Sequence, residues 1–172
     1  MDKHLEKIFQ KSYTENTDGL FRFALYRVSD REKAIDIVED AYLRFWQSLQ
    51  KEKVDEPRAL LYKITRNLVI DWYKKKKSVA VSTFEGENYK DIGEVYMDMF
   101  AGNIVGPEVE TEAKMVIEKI ASLEPIYREA VYLRFVEELS PKEIAQIKGE
   151  SPNTVSVRIN RGIEQLKLKL HI

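Results

Sequence analysis

Side chains that carry amide, hydroxyl and guanidinium groups cluster in one stretch near the C-terminus of this 172-residue chain. Arginine can form two hydrogen bonds with guanine in the major groove of DNA, and asparagine can do the same with adenine. Such residues stand close together at Asn153, Thr154, Ser156, Arg158, Asn160 and Arg161. Their chemistry is hydrogen bonding to bases and phosphates.

Two helices joined by a tight turn would position these side chains. Ser140 and Glu143 form a capping box, which predicts the start of the first helix. Gly149 is expected to end it, because glycine readily adopts the left-handed conformation, and Ser151 caps the second helix. The second helix has one apolar stripe, made of Val155, Ile159, Ile163, Leu166 and Leu170. This pattern is typical of a helix-turn-helix whose second helix enters the major groove.

The charge of this stretch is only moderately basic. From Pro152 onward, two arginines and two lysines stand against one acid, Glu164. Phosphate contacts dominate affinity for DNA, so this balance suits a weak, shared contact better than a protein that binds DNA alone. The alternative is a plain helical hairpin whose polar residues face water.

A second polar surface is predicted on the helix that begins at Pro57. Its basic side carries Lys63, Arg66, Asn67 and Lys74–Lys77, with Trp72 and Tyr73 beside them. Basic groups follow phosphates and aromatic rings stack on unpaired bases, so this surface favours nucleic-acid binding. Two alternatives remain open: Trp72 belongs to the core, and the lysines only complement the dipole at the helix C-terminus.

The helix predicted from Ser29 to Gln50 has an acidic side instead. Asp36, Glu39 and Asp40 lie on it, opposite an apolar stripe that contains several aromatic residues. An acidic face beside aromatic rings fits a protein partner with a basic helix. The alternative is an ordinary solvated face.

No strand pattern or internal repeat occurs in the sequence, so we predict an all-α fold. Two small helical domains, residues 1–77 and 111–172, are joined by an acidic linker at 78–110. The linker composition is typical of a solvated tether, although its apolar residues predict that part of it docks as a short helix. Within the first domain, the segment 16–19 is expected to break the N-terminal helix.

The composition argues against an enzyme. His4 and His171 stand at opposite ends, and the seven glycines form no phosphate-binding loop. The chain has no cysteine and a net charge of −1, so we expect no disulfide, no thiolate metal site and no global basic field. We also expect no cofactor. Without a signal-like or membrane-spanning stretch, we expect a soluble cytoplasmic protein.

The order of these features resembles the sigma-70 family of bacterial RNA polymerase sigma factors, in particular the small extracytoplasmic-function (ECF) group. One segment looks like the part of sigma region 2 that grips core polymerase: DREKAIDIVEDAYLRFWQSL. The next is similar to the helix that engages the −10 promoter element: EPRALLYKITRNLVIDWYKKKK. The last resembles region 4, which reads the −35 element: SLEPIYREAVYLRFVEELSPKEIAQIKGESPNTVSVRINRGIEQLK.

The resemblance implies a non-catalytic protein that directs transcription initiation. Residues 1–77 would be region 2 and residues 111–172 region 4. The implied partners are promoter DNA, core RNA polymerase and an anti-sigma factor. On the polymerase, the contacts would be the clamp helices of the largest subunit and the flap of the second-largest subunit.

The resemblance also implies roles for individual residues. Core polymerase would be contacted by Asp36, Glu39, Asp40 and Arg44. The −10 DNA would be contacted by Lys63, Arg66, Asn67, Trp72 and Lys74. The −35 DNA would be contacted by Asn153, Thr154, Ser156, Arg158 and Arg161.

Several positions depart from the family pattern. Lys148 and Glu150 stand where the family usually has apolar residues, and Ser156 stands where lysine is common. Gly162 replaces a commoner alanine and is expected to soften the recognition helix. Two rival functions remain: a helix-turn-helix regulator that binds DNA without polymerase, and a sigma-like decoy that sequesters an inhibitor.

Overall fold

The computed structural model describes residues 2–78 and 111–170, and within these ranges the chain is helical with no strand. The helices are α1 (Lys3–Val28), α2 (Arg31–Lys51), α3 (Pro57–Ser78), α4 (Thr111–Ala121), α5 (Pro125–Phe135), α6 (Pro141–Lys148) and α7 (Pro152–Leu170). The all-α prediction is confirmed. The short helix expected within the linker lies outside the described residues. None of the described helices combines the length and low charge needed to cross a bilayer.

Helices α1, α2 and α3 pack against one another and form the N-terminal module, residues 2–78. Their apolar faces bury Leu20, Phe23, Phe45 and Leu61. Helix α2 begins at the side chain of Asp30, which accepts a hydrogen bond from the backbone N–H of Lys33. The module is therefore a three-helix bundle in which α2 exposes one side to solvent.

The expected break at residues 16–19 was wrong, because α1 runs through it without interruption. The side chains of Asn16 and Thr17 bond back to the carbonyls of Ser12 and Tyr13, four residues earlier in the helix. Asparagine and threonine often end helices, but here their side-chain hydrogen bonds are made within the helix.

Gly19 allows α1 to pack closely on α3. A Cβ atom at this position would lie 2.6 Å from the Tyr62 hydroxyl and 3.3 Å from a carboxylate oxygen of Glu137. Gly19 therefore marks a close packing site rather than the end of a helix.

Helices α4 to α7 form the C-terminal module, residues 111–170, in which α7 packs on α5 and α6. The predicted helix ends are confirmed. Ser140 and Glu143 form a reciprocal capping box, and Gly149 ends α6 with a φ of 70°. The hydroxyl of Ser151 then accepts from the backbone N–H of Thr154 at 3.1 Å.

The two modules pack directly against each other through α3 and α6. Tyr62, Thr65, Arg66, Ile70 and Tyr73 are all buried, so α3 is covered on more than one side. The additional cover comes partly from the C-terminal module, as described below. An amphipathic pattern defines only one buried face, so it did not predict this second contact.

Candidate nucleic-acid interface

The predicted recognition helix, α7, presents polar side chains at its start. Asn153, Thr154 and Arg161 are exposed. Ser156 is half-buried, and its hydroxyl donates to the carbonyl of Pro152 at 2.9 Å. Val155 and Ile159 are buried on the opposite side. The turn and the two helices therefore have helix-turn-helix geometry, with the side chains able to contact DNA facing outward.

Arg158 is held by a carboxylate of the turn. Its Nη1 atom lies 2.7 Å from Oε1 of Glu150, and the two side chains are only 19% and 17% exposed. The other carboxylate oxygen of Glu150 is buried and has no hydrogen-bond partner among the described residues. The departure at Glu150 thus places an acid against one of the predicted −35 residues.

Gly162 has a packing role that its sequence position did not reveal. A Cβ atom there would lie 2.4 Å from Cγ2 of Val131 and 3.2 Å from Cβ of Tyr127. Its small size therefore lets α7 approach α5 closely. Helix α7 continues through Gly162 to Leu170, so the expected softening is not visible in its conformation.

The basic side of α3 lies at the surface for part of its length. Lys63, Asn67 and Lys74 are exposed, while Trp72 is half-buried. The Trp72 ring packs edge-on against Tyr73, and Nζ of Lys76 lies 4.9 Å from its centroid. Trp72 therefore combines core packing with partial exposure. The side chain of Lys77, the last member of the predicted run, lies outside the described residues.

Arg66 is the exception among the predicted −10 residues, because it is buried. Its Nε atom donates to Oε1 of Glu129 at 2.8 Å, and its Nη2 donates to Oε2 at 3.2 Å. Nζ of Lys148 lies 3.0 Å from the same carboxylate. One glutamate of the C-terminal module therefore bridges a cation from each module.

The electrostatics of Glu129 follow from this geometry. Burial by itself would raise the pKa of the carboxyl group, but Lys148 and Arg66 outweigh burial and hold the pKa well below its ordinary value of 4.5. The side chain of Lys148 is fully buried beside it. The second departure from the family pattern, Lys148, is thus the counter-ion of a buried acid.

A second buried carboxylate, Glu137, also joins the modules. It accepts hydrogen bonds from the hydroxyls of Tyr62 at 2.7 Å and Tyr132 at 2.9 Å. Nη2 of Arg22 lies 3.0 Å away and forms a salt bridge with it. Burial, followed by the charge of Glu137, raises the pKa of both tyrosines, so both remain protonated donors at neutral pH.

The acidic side of α2 lies at the surface. Asp36, Glu39, Asp40 and Arg44 are exposed, and exposed Leu43 lies among them. An apolar groove of about 1150 Å³ runs alongside, between α1 and α2, and includes Phe9 and Trp46. Within the described residues, no cluster of His, Cys, Asp or Glu could hold a metal ion.

Comparison with known proteins identifies the family. The family model described as sigma-70 region 2 matches residues 13–79, and the model described as sigma-70 region 4 matches residues 113–166. Together the two models cover most of the chain. The chain belongs to the sigma-70 family. It is an RNA polymerase sigma factor that directs promoter-specific initiation of transcription.

Curated relatives of this sigma factor include three from Bacillus subtilis strain 168. It is 26% identical to RNA polymerase sigma factor SigV, over 91% of this chain and 87% of that protein. Identity to ECF RNA polymerase sigma factor SigX is 23%, over 98% of this chain and 86% of the relative. Identity to ECF RNA polymerase sigma factor SigW is 26%, over 89% of this chain and 83% of the relative. The resemblance to the ECF group is therefore confirmed.

A solved structure shares the fold. The Bartonella quintana sigma factor RpoE, solved in complex with the anti-sigma factor NepR, superimposes with a TM-score of 0.61 at 20% identity. The match covers 95% of this sigma factor and 97% of that chain.

The sequence indicated the exposed surfaces of the sigma factor but missed both buried carboxylates. Glu129 and Glu137 stand within the apolar pattern of the α5 region, where an acid is unexpected. The unusual Lys148 was the one available signal, because a buried cation requires a counter-ion. The sequence did not show that one of the two cations paired with Glu129 would be Arg66 of the N-terminal module.

Proposed function

We propose that the two modules divide promoter recognition and polymerase binding among four surfaces. Residues 1–77 act as region 2, 78–110 as an acidic linker and 111–172 as region 4. The sigma factor has no catalytic activity of its own and works in the cytoplasm. The observation that carries the proposal is the separation of an acidic surface on α2 from polar, partly basic surfaces on α3 and α7.

The α2 surface is proposed to bind core polymerase. Its contact residues are Asp36, Glu39, Asp40 and Arg44, and the expected partner is the pair of clamp helices of the largest subunit. Exposed Leu43, which is 63% accessible, adds an apolar anchor among the charges. Complementary charge gives fast and specific association, while the apolar groove beside it supplies surface that can be buried.

The flap of the second-largest subunit is proposed to bind the C-terminal module. An apolar groove of about 500 Å³ lies between α4, α5 and α7 and contains Met115, Phe135, Ile163 and Leu166. Phe135 is 52% exposed, so the groove presents a large aromatic ring to a partner helix.

The α3 surface is proposed to engage the −10 element. Lys63, Asn67 and Lys74 supply contacts to phosphates and bases, and Arg66 adds another once its ion pair with Glu129 is broken. Trp72 supplies a ring on which an unpaired base can stack. Binding of flipped bases would offset the few kcal/mol that unstacking costs. Opening of the duplex is thus driven by capture of single-stranded DNA.

The α7 surface is proposed to read the −35 element. Asn153 and Thr154 at the helix start face the base edges, while Ser156, Arg158 and Arg161 contact bases or phosphates. A further proposed partner is an anti-sigma factor, the type of protein present in the Bartonella quintana complex.

Transcription in a purified system tests this function. The full-length protein is mixed with core polymerase from its native bacterium, isolated by pull-down and supplied with sheared genomic DNA. Mapping of transcript 5′ ends should reveal starts that are absent with core polymerase alone. Each start should lie downstream of a common pair of sequence elements.

Two results would contradict the proposal. One is failure to bind core polymerase or to direct new starts. The other is tight binding of the lone protein to a paired duplex site without polymerase, which would favour the stand-alone regulator. Inhibitor binding without transcription would favour the decoy instead.

A further inference from the structure

One apolar side chain stands in the middle of the polar face of α7. Val157 is 41% exposed. Asn153 stands one helical turn before it and Arg161 one turn after it, and both are exposed. The proposed contacts to the −35 element do not include Val157, although it lies between two of them.

The position of Val157 on the helix directs its side chain away from the protein. Val155, Ile159 and Gly162 are the buried residues of α7. At about 100° per residue, Val157 stands roughly 165° from the middle of this buried side. Core packing would explain an apolar residue at the edge of the apolar stripe, but it does not explain one at the centre of the outward face.

Val157 also lies at a suitable depth along the helix to meet base edges. It is the sixth residue of α7, which begins at Pro152, so it stands about 7–8 Å from the helix start. The major groove is about 12 Å wide, and a recognition helix contacts base edges with its N-terminal residues. Val157 therefore belongs to the part of α7 that the groove would receive.

The surroundings of Val157 do not fit a protein-docking surface. Such surfaces have a contiguous apolar centre, whereas Asn160 and Arg161 are exposed beside Val157. The apolar groove proposed for the flap is lined by Met115, Phe135 and other residues, and Val157 is not one of them. Single apolar residues are common on surfaces, so it is the position of Val157 among DNA-binding groups that indicates its partner.

Thymine carries the one apolar group that a base pair presents in the major groove. This group is the C5-methyl, and the other groups there are hydrogen-bond donors and acceptors. Packing of Val157 against the methyl group removes apolar surface of both from water. Packing against a donor or acceptor would instead cover a polar group without giving it a hydrogen bond, which is costly. The side chain therefore favours thymine and disfavours the other bases at the same position.

We infer that Val157 is a specificity-determining residue of the −35 surface and reads the methyl group of one thymine. Valine suits this role because its branched Cβ restricts χ1 in a helix, so little side-chain entropy is lost on contact. The inference rests on the proposed −35 role of α7. It adds the identity of one base pair of the element and the chemical group by which that pair is recognised.

Base analogues separate the methyl group from the rest of the base. The upstream element found by transcript mapping supplies the duplex, and its affinity for holoenzyme is measured by fluorescence titration at one salt concentration. Each thymine of the element, on either strand, is replaced in turn by uracil, which lacks only the methyl group. In a second series the same position carries cytosine or 5-methylcytosine opposite guanine.

The methyl group should matter at one position of the element. There, uracil should weaken binding of wild-type holoenzyme about fourfold, which corresponds to one buried methyl group. Cytosine should weaken binding further, and 5-methylcytosine should recover about the factor that uracil lost. With Val157→Ser the methyl group should have no effect in either pair. Val157→Thr keeps one of the two side-chain methyl groups and should show an intermediate effect.

Leu168→Ser is the matched control. Leu168 is 77% exposed on the same side of α7 but three turns further along, about 16 Å from Val157 along the helix axis. This variant should keep the uracil sensitivity of wild type. Because both side chains are exposed, circular dichroism should show the same helical content for Val157→Ser and Leu168→Ser.

Three results would overturn the inference. They are an upstream element without an A·T pair, full tolerance of uracil at every thymine, and uracil sensitivity that persists in Val157→Ser, which would indicate an effect of the methyl group on DNA stiffness. Each can occur while the holoenzyme still binds the element and directs transcription. A holoenzyme that recognises no upstream element would instead contradict the proposed −35 role of α7, so the two failures are distinguishable.

Discussion

Nη1 of Arg158 lies 2.7 Å from Oε1 of Glu150, so an acid in the turn restrains one of the two arginines of α7. The same acid places a negative charge close to where DNA phosphates are expected. Glu150→Gln should therefore increase affinity for a −35 duplex about threefold to tenfold and steepen its salt dependence by about one counter-ion. Titration of holoenzyme with promoter DNA at several salt concentrations measures both effects.

Glu164→Gln is the matched control for that prediction. Glu164 is an exposed acid on α7, the helix that carries Arg158. Its substitution removes the same charge as Glu150→Gln without releasing Arg158. Equal effects of the two variants would show that only net charge matters and that the ion pair has no role in DNA binding.

Gly162 is expected to be intolerant of even one methyl group. Gly162→Ala should lower the free energy of unfolding by about 1–3 kcal/mol, because the new Cβ would overlap Val131 in α5. This loss would exceed the gain of up to about 1 kcal/mol that alanine brings to a helix. Urea denaturation followed by circular dichroism measures the difference.

A double variant isolates the contact at Gly162. Val131→Ala removes the methyl group that would lie 2.4 Å from the new Cβ, so it should offset part of the cost of Gly162→Ala. Strictly additive losses would mean that the destabilisation has another origin than this contact.

Sequence reasoning succeeded wherever one local signal determined the structure. The capping box at Ser140, the left-handed Gly149 and the Ser151 cap each involve neighbours within four residues, and all three were predicted correctly. The exposed acids of α2 were likewise predicted from helical period alone. Local hydrogen bonds and one-sided amphipathicity are readable without knowledge of the tertiary fold.

The features that were not predicted correctly have a different cause. The polar segment at residues 16–19 continues α1 because its side chains bond within the helix and because Gly19 meets Tyr62 of another helix. The side chain of Arg66 is suited to contact DNA, but it is buried against Glu129, which is far from it in sequence. Such outcomes depend on partners far apart in sequence, which a periodic pattern does not encode.

The stability of the protein should depend on the ionisation of Glu129. Its pKa lies below the ordinary 4.5 in the folded state, because Lys148 and Arg66, with Arg27 of α1, outweigh the effect of burial. The unfolded chain therefore takes up this proton first as the pH falls. The stabilisation is complete above pH 4.5 and decreases as the pH falls below it.

Glu129→Gln tests this pH dependence. It should reduce the free energy of unfolding at pH 7 by about 3–5 kcal/mol, because two buried cations lose their anion. The difference between wild type and variant should shrink below pH 4.5. Urea denaturation at pH 7 and at lower pH measures it, and a difference that stays constant would contradict the assigned ion pairs.

The α2 surface should tolerate charge reversal in folding but not in polymerase binding. Glu39 is exposed and stands beside the apolar groove, so Glu39→Lys should leave the helical content unchanged. If a basic helix of the largest subunit docks here, the new lysine meets like charge and should weaken binding at least tenfold. Glu15→Lys, an exposed reversal on α1 outside that groove, is the matched control, and affinities are measured with surface-immobilised core polymerase. Equal affinities for the two variants would place the polymerase contact on another face of the N-terminal module.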